Sequence, residues 1–598
     1  MNKKQLNLNI QQLRGVAVAA VVLFHLNLPF AKTGYLGVDI FFVISGFLMA
    51  MLYGNITTTG SIKNFFLKRS VRLLPAYWFT IVATSIISIL LCLPHEVAII
   101  NQQSAWSFFL MPNIGFWSDA EYWGGSQFRP LLHLWSLGVE FQFYVIYPFI
   151  CKFFNSQFKR FMLMTASLLA YLLINEISAK TAFYMMPTRL WQFLLGIIAF
   201  EISRKIKVKF SAQIFRLVML LLIALLGLPV QIPSQAVILI TIPTTFLAAC
   251  AVLVSSGFNQ NIKIQSTRKL LAWIGKYSFS IYLMHFPIIL FQQYEAFGGT
   301  VTGVSSLNGL IVFFIILILS SKYIHLVFEK YTRYSFNLSR LLLFCFVSIF
   351  LFASIQFNGK LILVEKFDKN LSQISNALLD QSEDRCGIVF NFLHPLAEFC
   401  PIGNSGFETK YLLIGDSHTN SIKNTVSRLL NLNEISLYIN ASNNSISDEE
   451  ASHIIKQAKK THFSKIIFHS RAKVTNFESL SKLIPKLNNI GIQSFYILPV
   501  PEYSFSVPKK MFEITKNKNE FPYLNYSEYS EINKDEVKLV SDLSNKFGIK
   551  IMQTAAVFCT PMCAVTDSTG LFYFDSNHLT VHGSEKMIPI IKEIIEYP

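Results

Sequence analysis

Long apolar runs fill the first 356 residues of this chain, and they restrict its fold more than any other feature of the sequence. About 20 mostly apolar residues are needed for one helix to cross the hydrocarbon core of a bilayer. With 52% hydrophobic and 15% charged residues, the chain is also too apolar for an ordinary soluble protein. We therefore predict a polytopic α-helical membrane domain of about eleven transmembrane helices, centred near Ala20, Val43, Ser85, Phe143, Leu168, Leu195, Leu221, Phe246, Tyr282, Ile315 and Ser348.

The basic residues predict how these spans are oriented. Loops on the N-terminal side of the membrane hold 22 Lys and Arg residues, whereas the loops on the other side hold only Lys32, Arg129, Lys180 and Arg189. Because cytoplasmic loops carry the excess of basic residues, the N-terminus is expected in the cytoplasm of a bacterium. An odd number of spans across the inner membrane then places the chain after residue 356 in the periplasm. The net charge of +17 follows from this topology. The lipid bilayer is therefore an expected partner, and nucleic acid is not.

The second half of the chain is mixed and polar, which predicts a separate domain. We divide the chain into a transmembrane domain (residues 1–356), a periplasmic linker region (357–404) and an α/β domain (405–598). The last of these alternates candidate strands with candidate helices, and this alternation predicts a three-layer fold in which helices cover both faces of a parallel sheet. The strands are expected at 410–414, 435–439, 465–468, 493–498 and 549–553, and the main helices at 419–430, 448–460, 477–488 and 534–546.

Four of the eight cysteines lie in the predicted periplasmic half, where the environment is oxidising and disulfides persist. Four cysteines allow three pairings. Closeness in sequence favours Cys386 with Cys400 and Cys559 with Cys563. Free thiols are the alternative.

Two short segments at opposite ends of the α/β domain carry residue types suited to nucleophilic catalysis. The first predicted strand ends in Gly415-Asp416-Ser417, which places the serine on the turn into the next helix, where backbone N–H groups can meet an oxyanion. Near the C-terminus, His578 follows Asp575 by three residues, so that a carboxylate can orient an imidazole base. A Gly-Asp-Ser triplet by itself is also ordinary turn chemistry. The two segments together favour a Ser-Asp-His triad.

These segments resemble the SGNH hydrolase superfamily over about residues 405–598. The resemblance implies that Ser417 is the nucleophile, His578 its base and Asp575 the residue that orients the base. The superfamily usually adds Gly and Asn oxyanion donors from two further loops, whereas the corresponding loops here read Asn440-Ala441-Ser442-Asn443-Asn444 and His469-Ser470-Arg471. Beyond the Ser417 N–H, the oxyanion donors therefore stay open. Arg471 is either a substrate contact or a solvated charge.

Polar side chains inside the bilayer are costly and indicate function. Arg14 and His25 lie on the first predicted span, eleven residues apart, and thus within about 20° of one helix face and roughly 16 Å apart along the axis. Such a face can hold an anion near the cytoplasm and present an imidazole deeper in the membrane. The alternative is an Arg that reaches to the interface and a hydrogen-bonded core His.

Further polar side chains follow at helical spacing. Asp39 is expected at the outer mouth of the second span. Arg69 and Arg72 share a face at the cytoplasmic entrance of the third span, where they either bind a phosphate-rich donor or only follow the positive-inside rule. The fourth and ninth spans carry similar polar stripes, which predict a lined interior: His133 and Glu140 in the fourth, and Ser278, Tyr282 and His285 in the ninth.

Residues 8–335 resemble acyltransferase family 3. The resemblance rests on five blocks in the family's order, namely Arg14-Gly15 with His25, the segment Gly37 to Phe47, the Arg69 and Arg72 pair, the segment Leu132 to Glu140, and Tyr282-Leu283-Met284-His285. It implies acyl transfer, usually of acetyl from cytoplasmic acetyl-CoA, to carbohydrate outside the membrane. Members with a C-terminal SGNH domain modify lipopolysaccharide O-antigen, other surface glycans or peptidoglycan.

The combined expectation is an O-acetyltransferase for a cell-envelope glycan, most simply lipopolysaccharide O-antigen or another surface polysaccharide, with peptidoglycan as the alternative. Acetyl-CoA is the donor, held by Arg14, Arg69 and Arg72, and no metal or permanently bound cofactor is expected. His25 acts as base or acyl carrier, and the acetyl group passes to Ser417. The expected supporting residues are Asp39, His133, Glu140, Tyr282 and His285.

Three other functions are compatible with parts of this pattern. A polytopic transporter would explain the spans but not the Ser-Asp-His set. A membrane-anchored glycan deacetylase or esterase would use the same triad for the reverse chemistry. A structural outer domain would bind glycan without catalysis.

Overall fold

The computed structural model describes residues 3–54, 56, 58–118, 127–206, 211–255, 266–304, 306–330, 347–354, 369–382, 399–441, 448–517 and 520–598. The chain forms two compact units, Met1–Ile362 and Leu363–Pro598. The first unit is helical, and the second contains a six-stranded sheet with helices.

The α-helices of the first unit are α1 Lys3–His25, α2 Gly37–Tyr53, α3 Thr59–Leu91, α4 Pro94–Phe108, α5 Pro112–Ser118, α6 Trp135–Phe153, α7 Gln157–Ile177, α8 Ala179–Tyr184, α9 Met186–Lys205, α10 Ser211–Leu226, α11 Ile238–Val254, α12 Ser266–Lys276, α13 Ser278–Gln292 and α14 Leu307–Ile324. Short 3₁₀ helices lie at Pro29–Ala31, Gly34–Leu36, Leu132–Leu134 and Ser234–Val237, and a π-helical turn at His325–Lys330.

The described residues of this unit confirm a multi-pass membrane protein, but they do not confirm eleven spans. Six helical segments are long and apolar enough to cross a bilayer, or seven if α12 and α13, which meet at a 74° bend, form one broken span. Two shorter apolar helices, α10 and α11, fall below that length. The span predicted near Leu195 corresponds to α9, which is long enough to cross a bilayer but is more polar than the six segments because it contains charged residues. Of the span predicted near Ser348, only residues 347–354 are described.

Glycines allow α2 to pack directly on α9. A Cβ on Gly46 would lie 1.9 Å from the Phe193 carbonyl oxygen, and one on Gly196 would lie 2.1 Å from that of Val43. Small residues of this kind let two helix backbones approach within a membrane, where packing rather than the hydrophobic effect holds helices together. Asp39 of α2 contacts Arg189 of α9, and Phe47 contacts Phe200 further along, so α2 and α9 run parallel. Three long helices, α3, α6 and α7, lie between α2 and α9 in the chain. Because successive spans alternate in direction, α9 runs in the same direction as α2.

The sheet of the second unit consists of β1 Cys400–Ile402, β2 Thr409–Gly415, β3 Ile435–Ala441, β4 Lys465–His469, β5 Gln493–Ile497 and β6 Lys550–Met552. Its strand order is β1-β3-β2-β4-β5-β6. Strands β2 to β6 are parallel, as predicted, and β1 is antiparallel to β3. The sheet is therefore mixed rather than fully parallel. Strand β1 was not predicted, because a three-residue segment is too short to carry a recognisable strand pattern.

Helices cover both faces of this sheet, as the alternation in sequence predicted. Tyr411 and Leu413 of β2 pack into one hydrophobic core, and Leu412 and Ile414 pack into the other, because successive side chains of a strand point to opposite faces. The helices of the unit are α15 Lys369–Asn376, α16 Ser417–Leu432, α17 Asp448–Thr461, α18 Phe477–Asn488, α19 Val507–Asn517, α20 Tyr526–Ile532, α21 Lys534–Phe547, α22 Ala555–Phe558, α23 Val581–Ser584 and α24 Ile588–Glu596.

Two of the predicted cysteine contacts can be compared with the structure. Cys559 and Cys563 form the expected disulfide. Cys400 is disulfide-bonded as well. Cys386, its predicted partner, lies outside the described residues.

The close approach of α2 to α9 predicts opposite effects for two glycine-to-alanine changes. Gly46→Ala should lower the apparent melting temperature of the detergent-solubilised protein by several degrees, since overpacking costs about 1–3 kcal/mol. Gly60→Ala is the matched control, because nothing lies within 4 Å of its Cβ. Alanine stabilises a helix relative to glycine, so the control should leave the melting temperature unchanged or raise it. Equal melting temperatures for both variants would contradict the packing described here.

Candidate active sites

The first candidate site lies at the carboxyl end of β2, where ligands of parallel sheets usually bind. Gly415 ends the strand and pairs with Ala441 on one side and His469 on the other. A Cβ on Gly415 would lie 1.7 Å from the His469 carbonyl oxygen, so the close approach of β2 to the end of β4 requires glycine. Asp416 caps the following helix, and Ser417 is its first residue. Ser417 thus stands on a turn that the sheet and the helix fix from both sides.

Ser417, His578 and Asp575 form the hydrogen-bonded chain of a catalytic triad. The distance from His578 Nε2 to Ser417 Oγ is 2.7 Å, and that from His578 Nδ1 to Asp575 Oδ2 is also 2.7 Å. An ionised carboxylate only accepts hydrogen bonds, so the ring proton lies on Nδ1. The lone pair on Nε2 is therefore directed at the serine hydroxyl. This is the arrangement in which an imidazole removes the proton of an attacking serine.

Asp575 is held in its ionised form. Burial raises the pKa of this carboxyl, but hydrogen bonds from the His578 side chain and from the backbone N–H groups of Asn577 and His578 outweigh burial and leave the pKa below its ordinary value. The Phe574 ring stacks on the imidazole of His578, with 5.4 Å between ring centroids and 9° between planes. The base is thus fixed by a carboxylate on its edge and an aromatic ring on its face.

Asp416 ties the serine turn to the loop after β4. One of its carboxylate oxygens accepts the His418 N–H at 2.8 Å, and the other accepts the Arg471 N–H at 2.9 Å. The Arg471 amide is consequently occupied and does not serve as an oxyanion donor in this conformation. The Arg471 guanidinium binds Glu502 through Nε at 2.9 Å and remains about half exposed. In the other loop considered for the oxyanion hole, residues 442–444 lie outside the described residues.

Two further histidines lie behind the triad, and the sequence motifs predicted no role for either of them. His418 and His469 are buried, and their ring centroids lie 6.1 Å apart. The His418 ring lies 4.8 Å from that of His578, and neither of its nitrogens has a hydrogen-bond partner among the described residues. Burial, followed by repulsion from His578, lowers the pKa of His418 well below its ordinary value. His418 is therefore neutral at physiological pH.

The second candidate site is a cavity inside the helical unit. Five helices, α1, α2, α3, α6 and α13, supply its walls. The cavity brings together six polar residues singled out from the sequence: Arg14, Arg69, Arg72, Glu140, Ser278 and Tyr282. Positive charge and hydrogen-bond donors therefore meet in one enclosed space, as a binding site for an anionic group requires.

The charged walls of this cavity are held by hydroxyl groups and aromatic rings. The Arg69 guanidinium lies over the Tyr53 and Tyr144 rings, 5.0 and 5.7 Å from their centroids. Its Nε is buried and has no hydrogen-bond partner within the described residues. Glu140 accepts hydrogen bonds from Ser45 and Tyr144. Arg69 is thus positioned by stacking, and at least its Nε donor is unpaired among the described residues.

A cluster of three histidines lies beyond Tyr282. His285 Nε2 lies 3.1 Å from His25 Nδ1, and His285 Nδ1 lies 2.7 Å from the Tyr282 carbonyl oxygen. The ring of His133 lies 5.4 Å from that of His285. Tyr282 connects this cluster to the cavity, because its hydroxyl contacts both Ser136 Oγ and the His133 carbonyl oxygen at 2.6 Å.

These contacts fix the tautomers of the cluster. A carbonyl oxygen only accepts, so His285 carries its proton on Nδ1 and offers the lone pair of Nε2 to His25. His25 must then donate from Nδ1, which leaves its own lone pair on Nε2. His133 likewise donates from Nε2 to the Leu283 carbonyl oxygen at 3.1 Å, and its buried Nδ1 has no partner in the described part of the chain. In this arrangement the lone pair of His25 lies on Nε2, and that of His133 lies on Nδ1.

Asp39, predicted at the outer mouth of the second span, lies in the first turn of α2. It is buried, and its Oδ1 binds Arg189 Nη1 at 3.0 Å and Gln192 Nε2 at 2.6 Å. Arg189 belongs to α9 and is buried as well, rather than lying in an outer loop. An uncompensated charge is expensive in the bilayer, which explains why the two bind each other. Arg189 and Gln192 were missed because their partner is 150 residues away in sequence.

Each of the two units matches a known protein family. The acyltransferase domain family matches residues 7–321, and the family described as the SGNH domain fused to AT3 domains matches residues 385–593. Over 305 residues the chain is 32% identical to O-acetyltransferase OatA of Staphylococcus aureus strain NCTC 8325 / PS 47, which covers 47% of this chain and 50% of the relative. OatA of strain COL matches to the same extent. The chain thus spans about half the length of these curated relatives. No solved structure matches it.

The triad geometry predicts the reactivity of Ser417 towards a fluorophosphonate probe, which labels only activated serines. Ser417→Ala should abolish labelling of the full-length protein in detergent. Asp575→Asn should slow labelling by about 10²- to 10⁴-fold, because the base then loses the carboxylate that fixes its tautomer. Ser481, a partly buried serine on α18 whose hydroxyl donates to the Glu478 carbonyl oxygen, supplies the control, and Ser481→Ala should label at the wild-type rate. Unchanged labelling of Asp575→Asn would contradict the assigned chain of hydrogen bonds.

Proposed function

The chain belongs to the acyltransferase domain family and carries the SGNH domain that is fused to its members, and on this basis we propose that it is an O-acetyltransferase. It moves acetyl groups from cytoplasmic acetyl-CoA across the bacterial inner membrane to hydroxyl groups of a cell-envelope glycan. The observation that carries this proposal is the contact of His25 with His285 beside the arginine-lined cavity. That contact leaves a basic nitrogen near Tyr282, which lines a cavity suited to a phosphorylated donor.

Arg14, Arg69 and Arg72 bind the phosphate groups of the donor. Guanidinium groups suit this task because their planar N–H groups match phosphate oxygens and stay charged inside the membrane. Arg14 and His25 are separated by roughly 16 Å along α1, which suits a long, flexible donor with its phosphates at one end and its thioester at the other. The thioester is thereby presented to His25.

His25 Nε2 performs the first chemical step. As a nucleophile, Nε2 attacks the thioester carbonyl, the carbon–sulfur bond breaks, and the thiol of CoA leaves with the electron pair. As a general base, the same atom removes the proton of the attacking hydroxyl. Both roles need the proton on Nδ1, where His285 holds it. His285 is thus a positioning residue for either role.

Ser417 receives the acetyl group and passes it to the glycan. His578 removes the proton of the serine hydroxyl, and Ser417 Oγ attacks the acetyl carbon to form the ester. The bond between that carbon and its carrier, the His25 imidazole or the CoA sulfur, breaks, and the carrier leaves with the electron pair. A sugar hydroxyl then attacks that ester, with His578 again as base, and the serine leaves as the alcohol. The distances within the triad and the ionised Asp575 support this role. The first acceptor to test is lipopolysaccharide O-antigen or another surface polysaccharide, with peptidoglycan as the alternative glycan.

Replacement of His25 tests the membrane step. His25→Ala should abolish O-acetylation of the glycan, measured as ester-linked acetate on purified lipopolysaccharide and peptidoglycan from wild-type, deletion and variant strains. The fraction that loses acetate in the deletion strain identifies the acceptor. His462→Ala, at an exposed position in the other unit, is the control and should retain acetylation. Full acetylation by His25→Ala would exclude this assignment, and acetate release without any need for CoA would favour a deacetylase.

Replacement of His285 tests the tautomer. His285→Gln keeps an acceptor oxygen for the Nδ1 proton of His25, whereas His285→Leu does not. Acetyl transfer should therefore fall in the order wild type, Gln variant, Leu variant, with the Leu variant at least about 10²-fold below wild type. The initial rate of acetylation in membrane vesicles with labelled acetyl-CoA measures this order. Equal rates for the two variants would show that His285 only fills space.

A further inference from the structure

A second cavity opens beside the first, at the end of the helical unit where α2, α6 and α9 finish and α7 begins. Its volume is about 660 Å³, which lies in the range of pockets that bind small molecules. Four charged side chains line it: Arg160, Glu201, Arg204 and Lys205. The three basic residues contributed only to the positive-inside count, and no role was predicted for Glu201.

The charge of this cavity is positive. Glu201 neutralises Arg160 in an ion pair. Lys205 Nζ binds the uncharged Gln157 Oε1 at 2.8 Å. Arg204 and Lys205 are exposed at the rim, so two positive charges remain without a carboxylate partner among the described residues. An anionic ligand is the chemistry that this arrangement favours.

The two cavities lie next to each other along shared helices. On α2, Met49 lines the first cavity and Ala50 begins the wall of the second, which continues to Gly54. On α6, Tyr144 lines the first cavity and Tyr147 the second, about 5 Å further along the axis. From the second cavity through the arginine-lined cavity to His25, the sites therefore form a path in one direction.

We propose that the second cavity binds the 3′-phosphoadenosine end of the acyl donor, while Arg14, Arg69 and Arg72 bind its diphosphate. This inference rests on the proposed function, because it extends the donor site. Arg204 and Lys205 contact the 3′-phosphate, and the apolar wall formed by Ile150, Ile197 and Phe200 accommodates the base. The donor thus lies along the path, with its nucleotide at one end and its thioester at His25.

The test uses the full-length protein in nanodiscs and measures equilibrium binding of CoA and of 3′-dephospho-CoA by calorimetry. The variant Arg204→Gln/Lys205→Gln should weaken CoA binding about tenfold or more, since a charge-assisted contact to phosphate is lost. Its affinity for 3′-dephospho-CoA should stay within about twofold of wild type. Lys152→Gln/Lys159→Gln is the control, because it removes the same charge from exposed residues that do not line the cavity. This control should bind both ligands as wild type does.

The other outcomes overturn the inference in distinguishable ways. Wild-type protein that does not bind CoA removes the donor and with it the proposed function. CoA binding that is equal in the wild type and the double variant overturns only the assignment of the second cavity. Equal losses for CoA and 3′-dephospho-CoA reduce the effect to general electrostatic attraction. Loss of co-purified phosphatidylglycerol from the double variant, with unchanged CoA affinity, assigns the cavity to a lipid headgroup instead.

Discussion

The contact of α2 with α9 is the constraint on which the membrane site depends. Two turns separate the buried Asp39–Arg189 pair from the glycine contact at Gly46 and Gly196, and the two features together require close, parallel helices. A buried ion pair is unstable when one partner moves away, because the remaining charge stays in a medium of low dielectric constant. The register of α2 is therefore fixed. Since α2 lines both cavities, so is the position of their walls.

Local sequence information was sufficient for the second unit and insufficient for the first. Strands β2 to β6 and the triad residues could be predicted because a strand pattern spans only a few residues and the triad segments follow recognisable strand and turn signals. The number of spans could not be predicted from apolar length alone. A helix such as α9 carries Arg189 and Gln192 inside the bundle, where tertiary partners replace water. These polar side chains are tolerated because another helix supplies their partner, and the segment's own sequence does not show that partner.

The same limit applies to the candidate sites. Arg14, Arg69, Arg72, Glu140 and Tyr282 were each selected because polar groups are costly in lipid, and they line one cavity. Their relation to one another was not visible in the sequence, since they come from four helices. His418 and His469 were missed for a different reason. Neither carries a motif of its own, and only the pairing of β2 with β4 brings them together behind the serine.

Both sites control a histidine in the same way. In each, an acceptor holds the proton on Nδ1 and leaves the lone pair on Nε2, but the acceptor differs. Asp575 is a carboxylate, so in the proposed mechanism it also stabilises the positive charge that His578 gains as a base. His285 is a neutral ring whose own proton is committed to a carbonyl oxygen, so it orients His25 without offering a counter-charge. A histidine without a counter-charge is better suited to attack a thioester as a neutral nucleophile than to hold a proton. The difference favours His25 as the transient acyl carrier and His578 as the base, and it divides the transfer into two steps with different demands on charge.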